Sequence, residues 1–437
     1  MPSPESSKRL SVIEYGRFLR FDDAATHLGI PTPTLLRYID ETSERIFNAV
    51  GVNQPFEFSR DRFRVVDVAG LIRLGPYIHL EVCPKFLAGT ESPEWREDFF
   101  AIANLVRFGR ILPWEQLHAG LGEKGDLADL IAYAIVSMYD DHRRRPLRLY
   151  KPRTWQDFDV DGEVEPESIF FPGDRGFSQS GILLDRRNDF NEIIHHAMGL
   201  LLPELHDRDV RHQLAQRYID LAPQNSARKP RHIRNTLPHR HRRWQELFDL
   251  SREVIDGFGV VFEDTFKSTL PGFIIRTSDA WESLVFRAVL SGMRDRLVRK
   301  SSYGFAVIQT PQGKQSSKVT PDVSICRSGD KIFVVDAKYK TRMLPDGKEH
   351  LDIQAADVYE ALAFMRAAET DKIVLIYPAP FAKVSASSVG ATAVFERVTV
   401  GSQQITGLTL DPRSISKTGG FQNFSARLSQ TLREDGA

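Results

Sequence analysis

The chain has 437 residues and a balanced charge, with 58 Lys and Arg against 58 Asp and Glu. This length fits two or three domains, and the charge balance excludes a uniformly basic nucleic-acid-binding protein, so any polyanion-binding surface must be local. Cys83 and Cys326 match no metal or disulfide spacing, and there is no cleavable leader or long uncharged apolar stretch, so we expect a cytoplasmic protein with no membrane partner.

A pair of helices is predicted within residues 1–55. A short helix, Asp22 to Leu28, ends at Gly29, and a second helix begins with Thr32 as its cap. This is the spacing of a helix-turn-helix, whose second helix would present to a DNA groove the side chains of Thr34, Arg37 and Tyr38. A helical hairpin at a domain edge explains the same pattern, and the sequence does not separate the two.

Residues 56–245 are predicted to form a mixed region that binds a partner or DNA. Glu57 to Lys85 alternates apolar and polar residues around glycines, which predicts successive β-hairpins, and helices follow over about 95–108 and 126–142.

Two basic runs in this region could bind a polyanion or could be ordinary solvated turns. His142 to Trp155 interleaves Arg and Lys with aromatic residues, and Ala227 to Trp244 has seven Lys or Arg, three His and no acid. The predicted contacts to nucleic acid or a partner are Arg37, Arg143, Arg144, Arg145, Arg228, Lys229, Arg231, Arg240, Arg242 and Arg243.

Residues 246–415 read in the order helix, strand, strand, helix, strand. A helix beginning near Ser278 places Glu282 in its first turn, two β-runs flank Gly329, and an Ala-rich helix precedes a buried strand at Lys372 to Pro378. Residues 416–437 are predicted to be a weakly ordered tail.

The two β-runs predict a patch of charged side chains. If the chain reverses about Gly329, Asp322 and Asp336 lie seven residues to either side and face each other. Side chains alternate along a strand, so Lys338 and Lys340 share the face of Asp336. Like charges directly opposite on a sheet are destabilising, so this arrangement indicates a divalent cation between the carboxylates. A surface hairpin with incidental charges is the alternative.

This order, with Glu282, Asp322 and the Asp336-Ala337-Lys338 triplet, resembles the PD-(D/E)xK nuclease superfamily. Further blocks resemble McrC, the nuclease subunit of modification-dependent McrBC restriction systems, over roughly residues 60–380. They include GLIRLGPYIHLEVCPKF from Gly70, RRNDFNEIIHHAMGLLL from Arg186 and FIIRTSDAWESLVFRAVL from Phe273. The resemblance implies an α/β (α+β) multidomain chain, in which a helical and β-rich amino-terminal module precedes a restriction-endonuclease-like domain with a mixed central sheet flanked by helices.

The resemblance also implies the chemistry of the site. Asp322 and Asp336 would bind Mg²⁺, which Mn²⁺ can replace, with Glu282 and the carbonyl of Ala337 as further ligands, and Lys338 would complete the catalytic set. Supporting roles are implied for Asp357, Tyr359 and Lys340, although Glu360 stands where such proteins often have Gln.

Three functions remain open from the sequence. The first is a DNA endonuclease subunit that works on double-stranded DNA with a McrB-like AAA+ GTPase or ATPase hexamer, and the chain itself has no G-x-x-x-x-G-K-[ST] phosphate loop. The second is a stand-alone defence nuclease directed by its own helix-turn-helix. The third is a catalytically inactive subunit that binds DNA or activates the motor.

Overall fold

The computed structural model describes residues 8–75, 78–88, 95–108, 127–221, 236–256, 273–311, 313–327, 330–340, 342–343, 349–350, 352–379 and 390–436. The chain divides into two compact units, of which the first combines Met1–Leu130 with Gly272–Ala437 and the second is Ile131–Pro271. This division differs from the predicted boundaries at 55, 245 and 415, because the first unit pairs strands from distant parts of the chain.

The described residues form both helices and strands. The helices are α1 (Phe21–Leu28), α2 (Thr32–Val50), α3 (Trp95–Phe108), α4 (Leu127–His142), α5 (Pro166–Phe170), α6 (Asp189–Leu201), α7 (Arg208–Leu221), α8 (Gln245–Asp256), α9 (Thr277–Gly292), α10 (Ala355–Ala368) and α11 (Gly420–Gly436). The strands are β1 (Lys8–Ile13), β2 (Leu19–Arg20), β3 (Phe56–Ser59), β4 (Arg62–Val65), β5 (Val68–Gly75), β6 (Ile78–Cys83), β7 (Leu149–Asp157), β8 (Glu163–Val164), β9 (Phe177–Asp185), β10 (Phe273–Arg276), β11 (Leu297–Arg299), β12 (Tyr303–Thr310), β13 (Gly313–Val319), β14 (Val323–Arg327), β15 (Asp330–Ala337), β16 (Arg342–Met343), β17 (Glu349–His350), β18 (Lys372–Pro378), β19 (Thr392–Val400) and β20 (Gln403–Leu410).

The predicted amino-terminal helix pair is present, with one correction. Helix α1 ends at Gly29, whose φ of 60° is the left-handed conformation that glycine adopts without strain. Thr32 is not the cap of α2, because Pro31 holds that position and the Thr32 hydroxyl donates instead to Asp22 Oδ1 at 2.8 Å. A small sheet in the order β2-β4-β3 takes one strand from before the pair and two from after it.

A four-stranded sheet in the order β1-β6-β5-β10 forms one layer of the first unit. Strand β1 runs parallel to β6, whereas β5 pairs antiparallel with both β6 and β10. Strand β10 comes from the second half of the sequence, so this sheet joins the two segments of the unit. All residues of β5 and β6 are buried, which explains their apolar composition.

The second layer is a six-stranded mixed sheet in the order β11-β14-β15-β18-β20-β19. Strands β15, β18 and β20 are parallel, and the others pair antiparallel. Helix α10 packs on one face, where Phe364 and Met365 meet Val334 and Leu375, and α9 and α11 pack against each other and the same sheet. The predicted α/β class, with a mixed central sheet flanked by helices, is confirmed.

The carboxyl-terminal residues differ from the weakly ordered tail predicted for 416–437. Helix α11 buries Phe424, Leu428 and Leu432, four residues apart on one face, in the first unit. Before it, the buried carboxylate of Asp98 accepts hydrogen bonds from the backbone N–H of Ser414 and Ser416 at 2.7 and 2.9 Å. This helix and its apolar face were not predicted from the sequence.

The second unit packs α6 against α8 and extends a narrow three-stranded sheet in the order β7-β9-β8. We call residues 149–185, which include this sheet and α5, the arm. Its inner support is Gln179, which is 1% exposed. The Gln179 amide accepts from the N–H groups of Asp161 and Gly162 and donates to the carbonyls of Asp157 and Asp159, at 2.7–3.1 Å. One side chain thus holds the 157–162 loop in place.

Among the described helices, none has the length and apolar character required to cross a bilayer.

Candidate active site

The two predicted carboxylates face each other at the end of β15. Val323 pairs with Val335 and Ile325 with Phe333, which confirms the predicted register, although a bulge after Ile325 shifts the last pairs; the turn at 328–329 lies outside the described residues. The Ala337 N–H donates to Asp322 Oδ2 at 2.8 Å, and the Asp322 N–H lies 3.4 Å from Asp336 Oδ1. These backbone bonds fix both carboxylates side by side.

Both carboxylates are buried, Asp322 to 8% and Asp336 to 5% exposure. Burial raises the pKa of Asp336 to about 6; the charge of Asp322 adds to the rise and the Lys338 ammonium opposes it. The pKa of Asp322 is also raised, first by burial and then by the charge of Glu282. Two buried acids that hinder each other's ionisation form a site that a cation stabilises.

Lys338 is the cation that already neutralises part of this charge. Its Nζ lies 2.7 Å from Asp336 Oδ2 and 2.6 Å from Glu360 Oε2, and its side chain is 8% exposed. Because two carboxylates hold the ammonium group, its position is fixed. Glu360 was noted in the sequence only as a departure from a family pattern, and the structure places it in the site.

A second ion pair lies beside the first, on α10. The buried carboxylate of Asp357 receives Lys340 Nζ at 2.6 Å and the hydroxyl of Tyr377 at 3.0 Å. Lys340 remains half exposed, so one end of the pair reaches solvent. Tyr359, which the family resemblance implied as a supporting residue, is 71% exposed on the same helix and is not buried with Asp357.

Glu282 reaches this site through a lysine that the sequence did not indicate. Lys300 Nζ lies 3.5 Å from Glu282 Oε2 and 3.6 Å from Asp322 Oδ1. Helix α9 begins at Thr277, so Glu282 occupies its second turn and the predicted first-turn position is wrong. Lys300 stands 22 residues before Asp322 in the sequence, and spacing alone gives no signal for this contact.

The donors present fit a magnesium ion better than a metal that needs a closed protein cage. No group of three or more His, Cys, Asp and Glu side chains is arranged to hold a metal among the residues that the structure describes. Mg²⁺ usually takes only one or two carboxylates and completes its shell with water and substrate phosphate. The buried Asp322–Asp336 pair, with a charge that Lys338 only partly offsets, supplies two such carboxylates.

Tyr339, between the two lysines, ties the site to the amino-terminal strand of the same unit. Its hydroxyl donates to the buried carboxylate of Glu14, which also receives the hydroxyl of Thr277 and the Lys85 N–H. Lys85 Nζ lies 3.9 Å from the centre of the Tyr339 ring. Burial raises the pKa of Glu14 to about 7, while Lys85 lowers it.

The described parts of the two basic runs come together in the second unit. His241 and Arg240 bond the carbonyl of Arg148 at 2.7 and 3.1 Å, and Trp244 Nε1 donates to the carbonyl of Arg145 at 3.0 Å. The resulting basic surface carries exposed Arg143, Arg144, Arg145, Arg240, Arg242 and Arg243. Arg228, Lys229 and Arg231 lie outside the described residues.

Arg37 belongs to the first unit, whereas the basic surface belongs to the second. It is exposed on α2, 3.7 Å from Glu41. The neighbouring Tyr38 packs so closely on Gly75 that a β-carbon there would lie 2.4 Å from its ring. Tyr38 therefore packs within the first unit and is not available to a DNA groove. Of the three side chains predicted to enter the groove, Thr34 and Arg37 remain.

Comparison with known proteins gives a family match over a little less than half of the chain. Residues 183–378 match the family model described as McrBC 5-methylcytosine restriction system component. The predicted resemblance to McrC is confirmed. No curated protein gave a significant match.

Two solved structures from Thermococcus gammatolerans are similar. A chain of the half-complex described as McrB AAA+ hexamers with bound McrC has a TM-score of 0.68 and 14% identity, over 97% of this chain and 100% of that one. At this identity the similarity shows a shared fold. A chain of the McrBC complex has a TM-score of 0.49 and 12% identity, over 64% of this chain and 87% of that one.

Proposed function

We propose that the chain is the endonuclease subunit of a McrBC-type restriction and phage-defence system, which hydrolyses phosphodiester bonds in double-stranded DNA with Mg²⁺ or Mn²⁺. The observation that carries the proposal is the buried pair of Asp322 and Asp336, with the Lys338 ammonium 2.7 Å from Asp336. Facing acids can hold the metal ion for metal-assisted phosphodiester hydrolysis, and a fixed lysine beside them can stabilise developing negative charge.

Asp322 and Asp336 would hold the ion, and Glu282 and the carbonyl of Ala337 are the further oxygen donors. A bound Mg²⁺ lowers the pKa of a coordinated water and offsets charge on the phosphate. Lys338, which Asp336 and Glu360 fix in place, orients the attacking water or stabilises negative charge that develops on the phosphate. Lys340, anchored by Asp357 and half exposed, contacts a DNA phosphate.

The catalytic assignment is tested with Asp336→Asn and Lys338→Met in the full chain, with a McrB-like partner, GTP and Mg²⁺. Each variant should lower the rate of plasmid cleavage by about 10²–10³-fold, the usual cost of one group that stabilises developing charge. Arg366→Ala, on the exposed face of α10, is the matched control and should cleave normally. Unchanged cleavage by both site variants would contradict the assignment.

The surface of the arm is suited to binding a protein partner. Its exposed apolar side chains include Phe158, Ile169, Phe170, Phe171 and Ile182, and Phe171 is 84% exposed. Exposed apolar surface of this kind marks a contact with another macromolecule. The arm also has eight acidic and three basic residues, a balance that repels DNA. The partner proposed for it is an AAA+ hexamer like the McrB that accompanies McrC in the similar structure.

The other two functions predict different outcomes of the same reconstitution. Plasmid cleavage by the isolated chain, unaffected by partner and GTP, would favour a stand-alone nuclease directed by α1 and α2. Stimulated GTP hydrolysis without any cleavage would favour an inactive activating subunit. The cytoplasmic location and the basic-surface contacts stay predictions.

A further inference from the structure

Strands β12 and β13 pair with each other in a separate two-stranded sheet, which we call the ribbon (residues 303–319). Both faces are open to solvent, and only Tyr303, Ser317 and Val319 are partly buried among its described residues. Val307 is 69% exposed and Ile308 49%. An isolated two-stranded sheet is marginally stable in water, and exposed apolar side chains indicate a surface that a ligand covers.

The ribbon's charge selects the ligand. The sequence has no acidic residue between Asp295 and Asp322, while Lys314 and Lys318 are exposed on β13. Between these lysines lie Gln315, Ser316 and Ser317, whose side chains can donate hydrogen bonds to phosphates and base edges. A cationic surface rich in donors fits a nucleic acid, in contrast to the acidic arm.

Both ends of the ribbon are fixed at the candidate active site. The Tyr303 hydroxyl donates to Ser324 Oγ on β14 at 2.7 Å, and Ser302 and Thr320 share a hydrogen bond of 2.8 Å between their hydroxyl groups. Lys300, just before the ribbon, lies 3.6 Å from Asp322, just after it. A duplex held by the ribbon is therefore held next to the carboxylates.

The dimensions of the ribbon match a DNA groove. Eight residues of extended chain span about 26 Å, and paired strands lie about 4.8 Å apart. The major groove of B-form DNA is about 12 Å wide and admits a two-stranded ribbon.

We propose that the ribbon is a DNA-binding element that lies in the major groove of the duplex at the active site. Lys314 and Lys318 contact phosphates, and Ser316, which lies between them on the same face of β13, lies towards the base edges. The binding role stands on the ribbon itself, whereas its link to cleavage rests on the proposed nuclease function.

The test compares Lys314→Ala/Lys318→Ala with the control Lys417→Ala/Arg427→Ala, which removes two exposed cations at and before α11. Binding of full chain to a fluorescent DNA duplex is measured without metal over a range of salt concentrations. Loss of two phosphate contacts should lower the slope of log affinity against log salt by about 1.8 and weaken binding about tenfold at moderate salt. The control should keep both values of the wild type.

A second variant guards against a folding artefact. Residues 306–316 are replaced by Asn-Gly, which keeps Tyr303 and Val319 at the root. It removes Lys314 and Ser316 but keeps Lys318, so it should lose part of the duplex affinity while keeping the wild-type circular dichroism spectrum and thermal midpoint. Equal affinity of wild type and both ribbon variants would overturn the proposal, as would absence of duplex binding by the wild type. Normal duplex binding with lost binding of a partner protein would also overturn it.

Failure of the nuclease proposal gives a different pattern. If the ribbon variants lose duplex binding but Asp336→Asn cleaves like the wild type, the ribbon proposal is supported and the catalytic assignment is wrong. If Asp336→Asn loses cleavage while the ribbon variants bind and cleave normally, the catalytic assignment stands and the ribbon proposal falls.

Discussion

The arm of the second unit and the ribbon of the first are both narrow antiparallel β-structures with apolar side chains in solvent. They differ in charge: the arm has eight acidic and three basic residues, whereas the ribbon has two lysines and no acid. They differ also in support, since Gln179 braces the arm from within and Tyr303 ties the ribbon to β14. Similar backbones thus present surfaces suited to opposite ligands, one a protein and the other a polyanion.

Salt should separate the two surfaces most strongly. Raising the ionic strength about fourfold should weaken duplex binding by about 40-fold if Lys314, Lys318 and Lys340 contact phosphate. Partner binding through the apolar arm should change by less than about threefold. Titrations of DNA and partner at matched salt concentrations measure both. Equal salt dependence of the two would remove the distinction.

Removing aromatic contacts from the arm should have the next largest effect. Phe170→Ser/Phe171→Ser should lower stimulation of the partner's GTP hydrolysis about 30-fold at limiting concentration, because central aromatic residues contribute about 2 kcal/mol or more to an interface. Duplex binding should not change.

The ribbon provides the matched control. Val307→Ser/Ile308→Ser should leave GTP hydrolysis within about twofold of the wild type, since charge directs the ribbon to DNA. A partner that is stimulated normally by the arm variant would show that the arm is not the docking surface.

A smaller effect is expected at the root of the ribbon. Tyr303→Phe removes the bond to Ser324 and should lower plasmid cleavage a few-fold, consistent with about 1 kcal/mol for one hydrogen bond. Tyr150→Phe in the arm, at a residue that is 58% exposed, serves as the control. Identical cleavage by wild type and Tyr303→Phe would mean that the ribbon's position does not depend on this bond.

The smallest effects are expected on stability. Ile182→Ser in the arm and Val307→Ser in the ribbon should each change the free energy of unfolding by less than about 0.5 kcal/mol, because both side chains are already exposed. Val334→Ser, buried under α10, should cost about 2–4 kcal/mol. Urea unfolding of the three variants compares them. A large loss in the arm or ribbon variant would show that its apolar side chain is structural.

Local sequence patterns correctly predicted much of this fold. Turn and strand signals around Gly329 were enough to place Asp322 opposite Asp336, because a hairpin register depends on only a few neighbouring residues. The end of α1 at Gly29 was equally local. By contrast, the cap of α2 was misplaced because Pro31 can occupy the same position as a capping hydroxyl residue.

Contacts between residues that are distant in the sequence could not be predicted from local patterns. Lys300 meets Asp322 only because the ribbon folds out between them, and Glu360 meets Lys338 only when α10 packs on the sheet. The two basic runs are far apart in the sequence, and the bonds to the Arg148 carbonyl that join them depend on the folded second unit. The spacing of residues along the sequence does not show which polar side chains meet across the fold.

The bond between Tyr339 and Glu14 spans 325 residues of sequence. At typical synthesis rates of 5–20 residues per second, roughly 16–65 s separate the appearance of these two residues on the ribosome. Strand β1 can pair with β6 early, but Glu14 lacks the Tyr339 hydroxyl until most of the chain has been made. In a protein proposed to cut DNA, a chain that terminates before Tyr339 therefore lacks this support for the candidate active site.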